Sequence, residues 1–402
     1  MFSLSNFIAS YVTKRPVSIF LRDVEEHNDI LSSKIAGKSV LVIGGAGSIG
    51  SSFIKAILPF KPKTLVVVDT NENALAELTR DLRSTKEMYV PADYVTYPMD
   101  FASPVFEKMF IKRGGFDIVG NFSAHKHVRS EKDVFSVEAL LQNNVLHAKL
   151  LLDLLVQYPP EEYFCVSTDK AANPVNIMGA SKRIMEDVIF SYSDKFPVKT
   201  ARFANVAFSN GSLPAGFMAR IQKLQPLSAP SDVRRYFVSL EESGQICMLA
   251  CILGKNREIF FPKLEEAQMM TFDAIGTALL HEYGYEVLEC SSDEEAIDKA
   301  EDLKNGSNLY PVHYSVSDTS GEKPFEEFVT ETETADMERF SSLGVITGKE
   351  IPDQRRIRKL YVDLNAAFAK EETTKEEVVQ IMKDYLPSFE HIETGKSLDS
   401  KM

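Results

Sequence analysis

The sequence predicts an α/β protein, a doubly wound parallel sheet with a smaller C-terminal substrate-binding region. Three observations carry that expectation. Short apolar runs near residues 39–43, 64–68 and 163–166 alternate with helical patterns, the signature of a parallel sheet. The first run passes directly into a glycine-rich turn and then an apolar helix. Polar residues able to do chemistry cluster just past the carboxyl ends of these runs, where open α/β sheets bind ligands.

Residues 1–36 mix apolar and polar positions, break at Pro16, and read as one or two short helices. The main domain is placed at 37–210 and the C-terminal region at 211–402. Strand 39–43 leads into Gly44, Gly47 and Gly50, and Phe53, Ile54 and Ile57 continue as a helix. This suits a tight turn whose backbone approaches a pyrophosphate at a helix N-terminus. Strand 64–68 ends in Asp69, which lies 19 residues past Gly50, where a carboxylate holds ribose hydroxyls. No arginine follows to accept a ribose phosphate. A glycine turn beside an unrelated surface aspartate is the alternative.

Asp100 closes a further strand, where it can meet an adenine. Strand 117–120 runs into Ser123, Ala124, His125, Lys126 and His127, a ligand-facing loop or a solvated polar one. A long apolar helix from 140 to 155 contains Asn143 and Asn144, both poor helix formers. At least one of these side chains is expected to bond outside the helix, unless they form a surface pair.

Strand 163–166 is followed by Ser167, Thr168, Asp169 and Lys170, which set hydroxyl, carboxylate and amine side by side. Pro174 breaks the chain, and a helix begins near Met178 with Met178 and Lys182 on one face. A polar capping loop is the plainer alternative. Strand 198–206 and loop 208–212 come next, and the pattern loosens after Pro214. Arg234 and Arg235 stand beside Tyr236, a grip for a diphosphate or a solvated turn. Further elements are read at 259–261, 271–283 and 310–314. A turn-rich loop spans 317–323, Thr374 and Glu377 suggest a capping box, and 393–402 is a polar, frayed end.

Formal net charge is −13, which argues against nucleic acid or an anionic membrane as the main partner. The imbalance lies in the tail, with 31 acidic and 15 basic residues from Lys263 onward. The half that holds the chemistry is near neutral. Cys165, Cys247, Cys251 and Cys290 show no metal or disulfide spacing and read as reduced core residues of a cytoplasmic protein. No metal site and no membrane span are expected.

Taken together, the glycine turn, Lys126-His127-Val128, Ser167-Thr168-Asp169-Lys170, Met178-Gly179-Ala180-Ser181-Lys182, Arg202-Phe203-x-Asn205-Val206 and Arg235-Tyr236-Phe237 form an ordered set. In that order they resemble the nucleotide-sugar 4,6-dehydratases, above all those acting on UDP-N-acetylglucosamine. These belong to the extended short-chain dehydrogenase/reductase superfamily. The resemblance is strong over 36–262 and weaker around 317–323. It implies a Rossmann domain holding NAD through Gly44, Gly47, Ser48, Ile49, Gly50, Asp69, Asp100, Ser123, Ala124, Lys126, Asn144 and Lys182. It implies a UDP-sugar held by His127, Asn205, Ser209, Asn210 and Arg235. Thr168, Asp169 and Lys170 are the implied catalytic group. Lys170, its pKa lowered by burial or a neighbouring cation, is the implied base at C5, and a protonated Asp169 the acid at C6.

One departure stands out. The superfamily's Tyr-x-x-x-Lys has Met178 in the tyrosine position, and a thioether neither takes nor gives a proton. A dehydratase branch that retains the C5 configuration resembles this chain in that respect. An epimerase or reductase on the same fold, and a catalytically silent NAD-binding protein, are the competing readings. The helices around 143–155 and 178–190 are apolar on more than one face. In this superfamily such helices pair across a two-fold axis, which implies a homodimer or higher oligomer.

Overall fold

The structure is a computed structural model that describes residues 2–127, 131–317, 323, 325 and 327–392. Val128, most of the 317–323 loop and the 393–402 end lie outside the described residues. The main sheet comprises β1 (Ser39–Ile43), β2 (Thr64–Asp69), β3 (Asp93–Pro98), β4 (Ile118–Asn121), β5 (Glu162–Val166), β6 (Val198–Ala201), β7 (Glu258–Pro262), β8 (Thr334–Asp336) and β9 (Leu343–Thr347). Their order is β8-β9-β7-β6-β5-β4-β1-β2-β3. Strands β1 to β7 run parallel, and β9 is antiparallel to both β7 and β8. The doubly wound sheet expected from the sequence is present.

The period-2 geometry of a strand sends successive side chains to opposite faces. Val40 and Val42 join one core with Phe53, Leu75 and Ile246. Leu41 and Ile43 join the other with Phe106, Leu151 and Ile184. Helices therefore cover both faces, and the inner strands are largely apolar and buried. The winding direction reverses between β1 and β4, so the loops after these strands part and open a crevice.

The chain after residue 210 does not form one separate region, and the 211–402 expectation is corrected here. Strands Leu227–Pro230, Leu309–Ser315 and Glu286–Glu289 build a second, parallel three-stranded sheet. Strands β7, β8 and β9 instead extend the main sheet. Where one or two N-terminal helices were expected, three short α-helices form, at Leu4–Phe7, Leu21–Glu26 and Asn28–Ile35. Phe7, Ile8 and Val12 pack into the second sheet's core, while Leu31 and Ile35 pack into the main one.

Helices Gln354–Phe368 and Lys375–Tyr385 lie outside helices His147–Gln157 and Ile177–Phe190. Leu364, Val378 and Met382 are fully buried in that shared core. The Tyr361 hydroxyl donates to the Val145 carbonyl at 3.1 Å, and the Tyr385 hydroxyl to Asp187 at 3.3 Å. The face expected to meet a second copy is thus covered in part by this chain's own C-terminus, while Leu150 and Val156 of helix His147–Gln157 stay exposed. Thr374 caps the last helix through the Glu377 amide, while the Glu377 carboxylate pairs with Lys370 rather than closing a capping box.

Candidate active site

A cleft of about 680 Å³ follows the carboxyl ends of the strands. One wall starts at the glycine turn. Gly44 has φ +70°, and a Cβ there would lie 2.6 Å from the Ser123 amide nitrogen. A Cβ on Gly50 would lie 2.4 Å from the Gly44 carbonyl oxygen. Only hydrogen fits at both places, so the backbone can be approached closely. Helix Ser48–Ile57 starts here with Gly47 as N-cap and no side-chain cap. Among the described residues no side chain accepts from its first amides, which suits an anion. Asp69 ends β2 and accepts from the Ala46 amide (3.1 Å) and the Asn71 amide (2.9 Å). Asp100 accepts from the Ala102 amide at 2.8 Å and lines the same cleft.

The opposite wall holds the polar triplet. It occupies a single turn, Asp169–Ala171, directly after β5. Asp169 Oδ1 accepts three bonds: from the Thr168 hydroxyl (2.8 Å), the Lys170 amide (2.9 Å) and the Lys170 side-chain nitrogen Nζ (3.3 Å). Asp169 is buried, while Thr168 and Lys170 are partly open to the cleft. The neighbour of Lys170 in this turn is therefore an anion and not the cation the sequence reading allowed.

This turn rests on helix Ile177–Phe190. A Cβ on Gly179 would lie 2.6 Å from the Lys170 carbonyl oxygen, so the contact is backbone to backbone. The helix start is closed from two sides. Asn176 accepts from the Gly179 amide, and Glu131 accepts from the Ile177 and Met178 amides at 3.0 and 2.8 Å. Met178 and Lys182 line the cleft from the same face, as the four-residue spacing requires. Lys182 is nearly inaccessible, and burial pulls its pKa down. Its Nζ donates to the Val166 carbonyl at 3.0 Å.

Deeper in that helix, Glu186 accepts from the Ser167 hydroxyl and from Arg202. Arg202 also bonds Glu333. Burial alone would raise the pKa of both carboxyls, but the guanidinium outweighs it. Glu186 is lowered, and Glu333 falls to about 2. The strand end carrying Thr168 is thus tied to a desolvated ion network.

The adjacent asparagines explain themselves in the structure. Between helices Val134–Leu141 and His147–Gln157 the chain takes one π turn, Gln142–Leu146. Asn144 is buried there. It accepts from the His125 amide at 2.9 Å and donates to the His125 carbonyl at 2.9 Å and to Ser181 at 3.1 Å. It fixes the loop that carries Lys126 and His127, and does not itself line the cleft. Asn143 does, bonded to Ser123 at 3.2 Å.

Of the residues expected around a UDP-sugar, His127, Asn205 and Ser209 line the cleft. Asn210 sits at its rim: its amide donates to Ser48 (2.8 Å) and its carbonyl accepts from Lys126 (3.0 Å). Arg235 is elsewhere. It is buried in a short ladder opposite Met270 and donates to the carbonyls of Arg234 and Lys323. The sequence reading missed Glu131, Gln142 and His147. His147 was within reach, since it lies four residues after Asn143 on one helix face. Glu131 was not, because its bonds span 46 and 47 residues.

Comparison with known proteins agrees with this architecture. The chain is 29% identical over 364 residues to an uncharacterized membrane protein of Methanocaldococcus jannaschii, covering 88% of this chain and 98% of that one. Among the described residues here, no helix is long and apolar enough to cross a membrane. It is 25% identical over 236 residues to an inverting UDP-N-acetylglucosamine 4,6-dehydratase of Campylobacter jejuni, covering 57% of this chain and 67% of that one. It spans only 42% of a longer relative from Bacillus subtilis. The crystal structure of Pen from Bacillus thuringiensis superposes with a TM-score of 0.62 at 21% identity, over 78% of this chain and 89% of that one, which shows a shared Rossmann-type fold. The profile of one family matches residues 40–347, and the chain belongs to it: the polysaccharide biosynthesis protein family.

Proposed function

We propose that this protein is an NAD-dependent nucleotide-sugar dehydratase that converts UDP-N-acetylglucosamine to a UDP-4-keto-6-deoxy sugar in the cytoplasm. The observation that carries the reading is the Thr168–Asp169–Lys170 turn, where one buried carboxylate oxygen receives both a hydroxyl and an amine. The glycine turn fits the pyrophosphate of NAD, since Gly44 and Gly50 let the turn close tightly against backbone at the start of a helix whose N-cap side adds no side-chain bond. Asp69 fits the adenosine ribose, and its charge opposes a ribose phosphate. NAD, when bound, supplies the hydride acceptor for C4 and the hydride donor for C6.

The chain's own residues supply the protons. Thr168 holds the sugar O4, and its hydroxyl passes that proton to Asp169, which it already contacts. Asp169, now a neutral acid, donates the proton to the departing C6 hydroxyl, which leaves as water. Lys170 as the free amine takes the C5 proton, acidified by the 4-ketone, and returns it to C5 at the end. Neither proton comes from solvent. Return by the same amine on the same face retains the C5 configuration, as the resemblance carried by Met178 implies. Met178 offers no proton route, which is why Thr168 is assigned that role. His127, Asn205 and Ser209 are assigned to the UDP-sugar.

The test is incubation with UDP-N-acetylglucosamine and no added reductant, followed by mass spectrometry and NMR. Loss of one water with C5 unchanged is expected. A product of unchanged mass inverted at C4 would replace the dehydratase reading with an epimerase.

A further inference from the structure

The cleft runs from β5, where Thr168 and Lys170 sit, across to the ends of β2 and β3, where Asp69 and Asp100 sit. At that second end the His147 ring lines the cleft. It meets the buried Phe101 ring edge-on, with centroids 6.0 Å apart and planes at 84°. Its Nδ1 is sealed from solvent and has no hydrogen-bond partner among the described residues. A buried N–H left without an acceptor is rarer and costlier than an unused lone pair. The ring proton is therefore placed on Nε2. The edge left to the cleft then offers one N–H donor beside an aromatic surface. A purine matches both features, with flat apolar faces and ring nitrogens that accept at its rim.

We propose that His147 reads the base of the dinucleotide, donating Nε2–H to a ring nitrogen of adenine in the pocket beside Phe101. This rests on the NAD reading above. Isothermal titration calorimetry tests it with NAD and with nicotinamide mononucleotide, which lacks the purine. The proteins are wild type, His147→Leu and His147→Gln. His147→Leu should bind NAD roughly 3- to 10-fold more weakly, the weight of one hydrogen bond. His147→Gln, which keeps a donor, should recover part of that loss. Affinity for the mononucleotide should be the same in all three. Equal NAD affinity in wild type and His147→Leu overturns the proposal, and so does an equal loss of NAD and mononucleotide binding. A wild-type protein that binds no NAD overturns both this proposal and the cofactor reading.

Discussion

Two helices start at the floor of one cleft and finish their first turns in opposite ways. Helix Ser48–Ile57 begins behind Gly47, and among the described residues no side chain accepts from its first amides. Helix Ile177–Phe190 begins behind Asn176 and Glu131, which together accept from its first three amides. An open helix start is an anion site; a closed one has nothing left to offer a ligand. The closed start has a mechanical task instead. It backs the Thr168–Lys170 turn through the contact at Gly179 and holds the Ser167 end through Glu186. Binding and chemistry are thereby assigned to different helix ends, one left bare and one braced.

The largest effects should come from the braced side. Lys170→Ala should lower turnover by about 10²- to 10⁴-fold while NAD still binds. Steady-state rates and calorimetry on the same preparation separate the two, and a variant that loses NAD instead would erase the division of labour. Thr168→Val should slow formation of bound NADH by ~10²-fold in a single turnover followed by absorbance. A wild-type rate there would remove Thr168 from the proton path.

On the bare side, Gly50→Val should weaken NAD on the order of 100-fold, about 3 kcal/mol, because its Cβ meets the Gly44 carbonyl. The variant's folded state can be checked by circular dichroism, and unchanged affinity would count against a pyrophosphate at this turn.

Glu131→Gln should cost about 1–3 kcal/mol in urea unfolding, since an amide accepts poorly at two backbone donors. A loss confined to activity, with no change in stability, would mean that Glu131 is not a brace.

The smallest effect is acid sensitivity. Glu333 is held near 2, below its ordinary value of 4.5, by the Arg202 network that also anchors Glu186. A folded pKa below the unfolded one stabilises fully above about pH 4.5, and that stabilisation drains away as pH falls toward 2. Urea midpoints should therefore decline over that interval, and the decline should shrink in Glu333→Gln.

How legible this was from the sequence depends on the range of each contact. The polar triplet was readable because Thr168, Asp169 and Lys170 are neighbours and their bonds close within one turn. The placement of Arg235 was not legible, for the opposite reason. A basic pair beside an aromatic describes a local composition, while the direction of the side chain was set by pairing with Met270 and by Lys323, 88 residues away. The asparagine pair lies between these cases: poor helix propensity announced an irregularity, but not its partner.

The sequence by itself determined the parallel strands β1 to β7, the glycine turn, the order of the motifs and the absence of a tyrosine at 178. These follow from short-range sterics and from apolar periodicity, which any stretch of chain expresses alone. Only the tertiary structure decided which helix start stays open, where Asn144 and Glu131 spend their hydrogen bonds, and that the C-terminal helices pack over part of the face expected for a second copy. Each of those outcomes joins segments tens to hundreds of residues apart. Burial of amides and apolar faces fixes them only once the whole chain has closed around its cores.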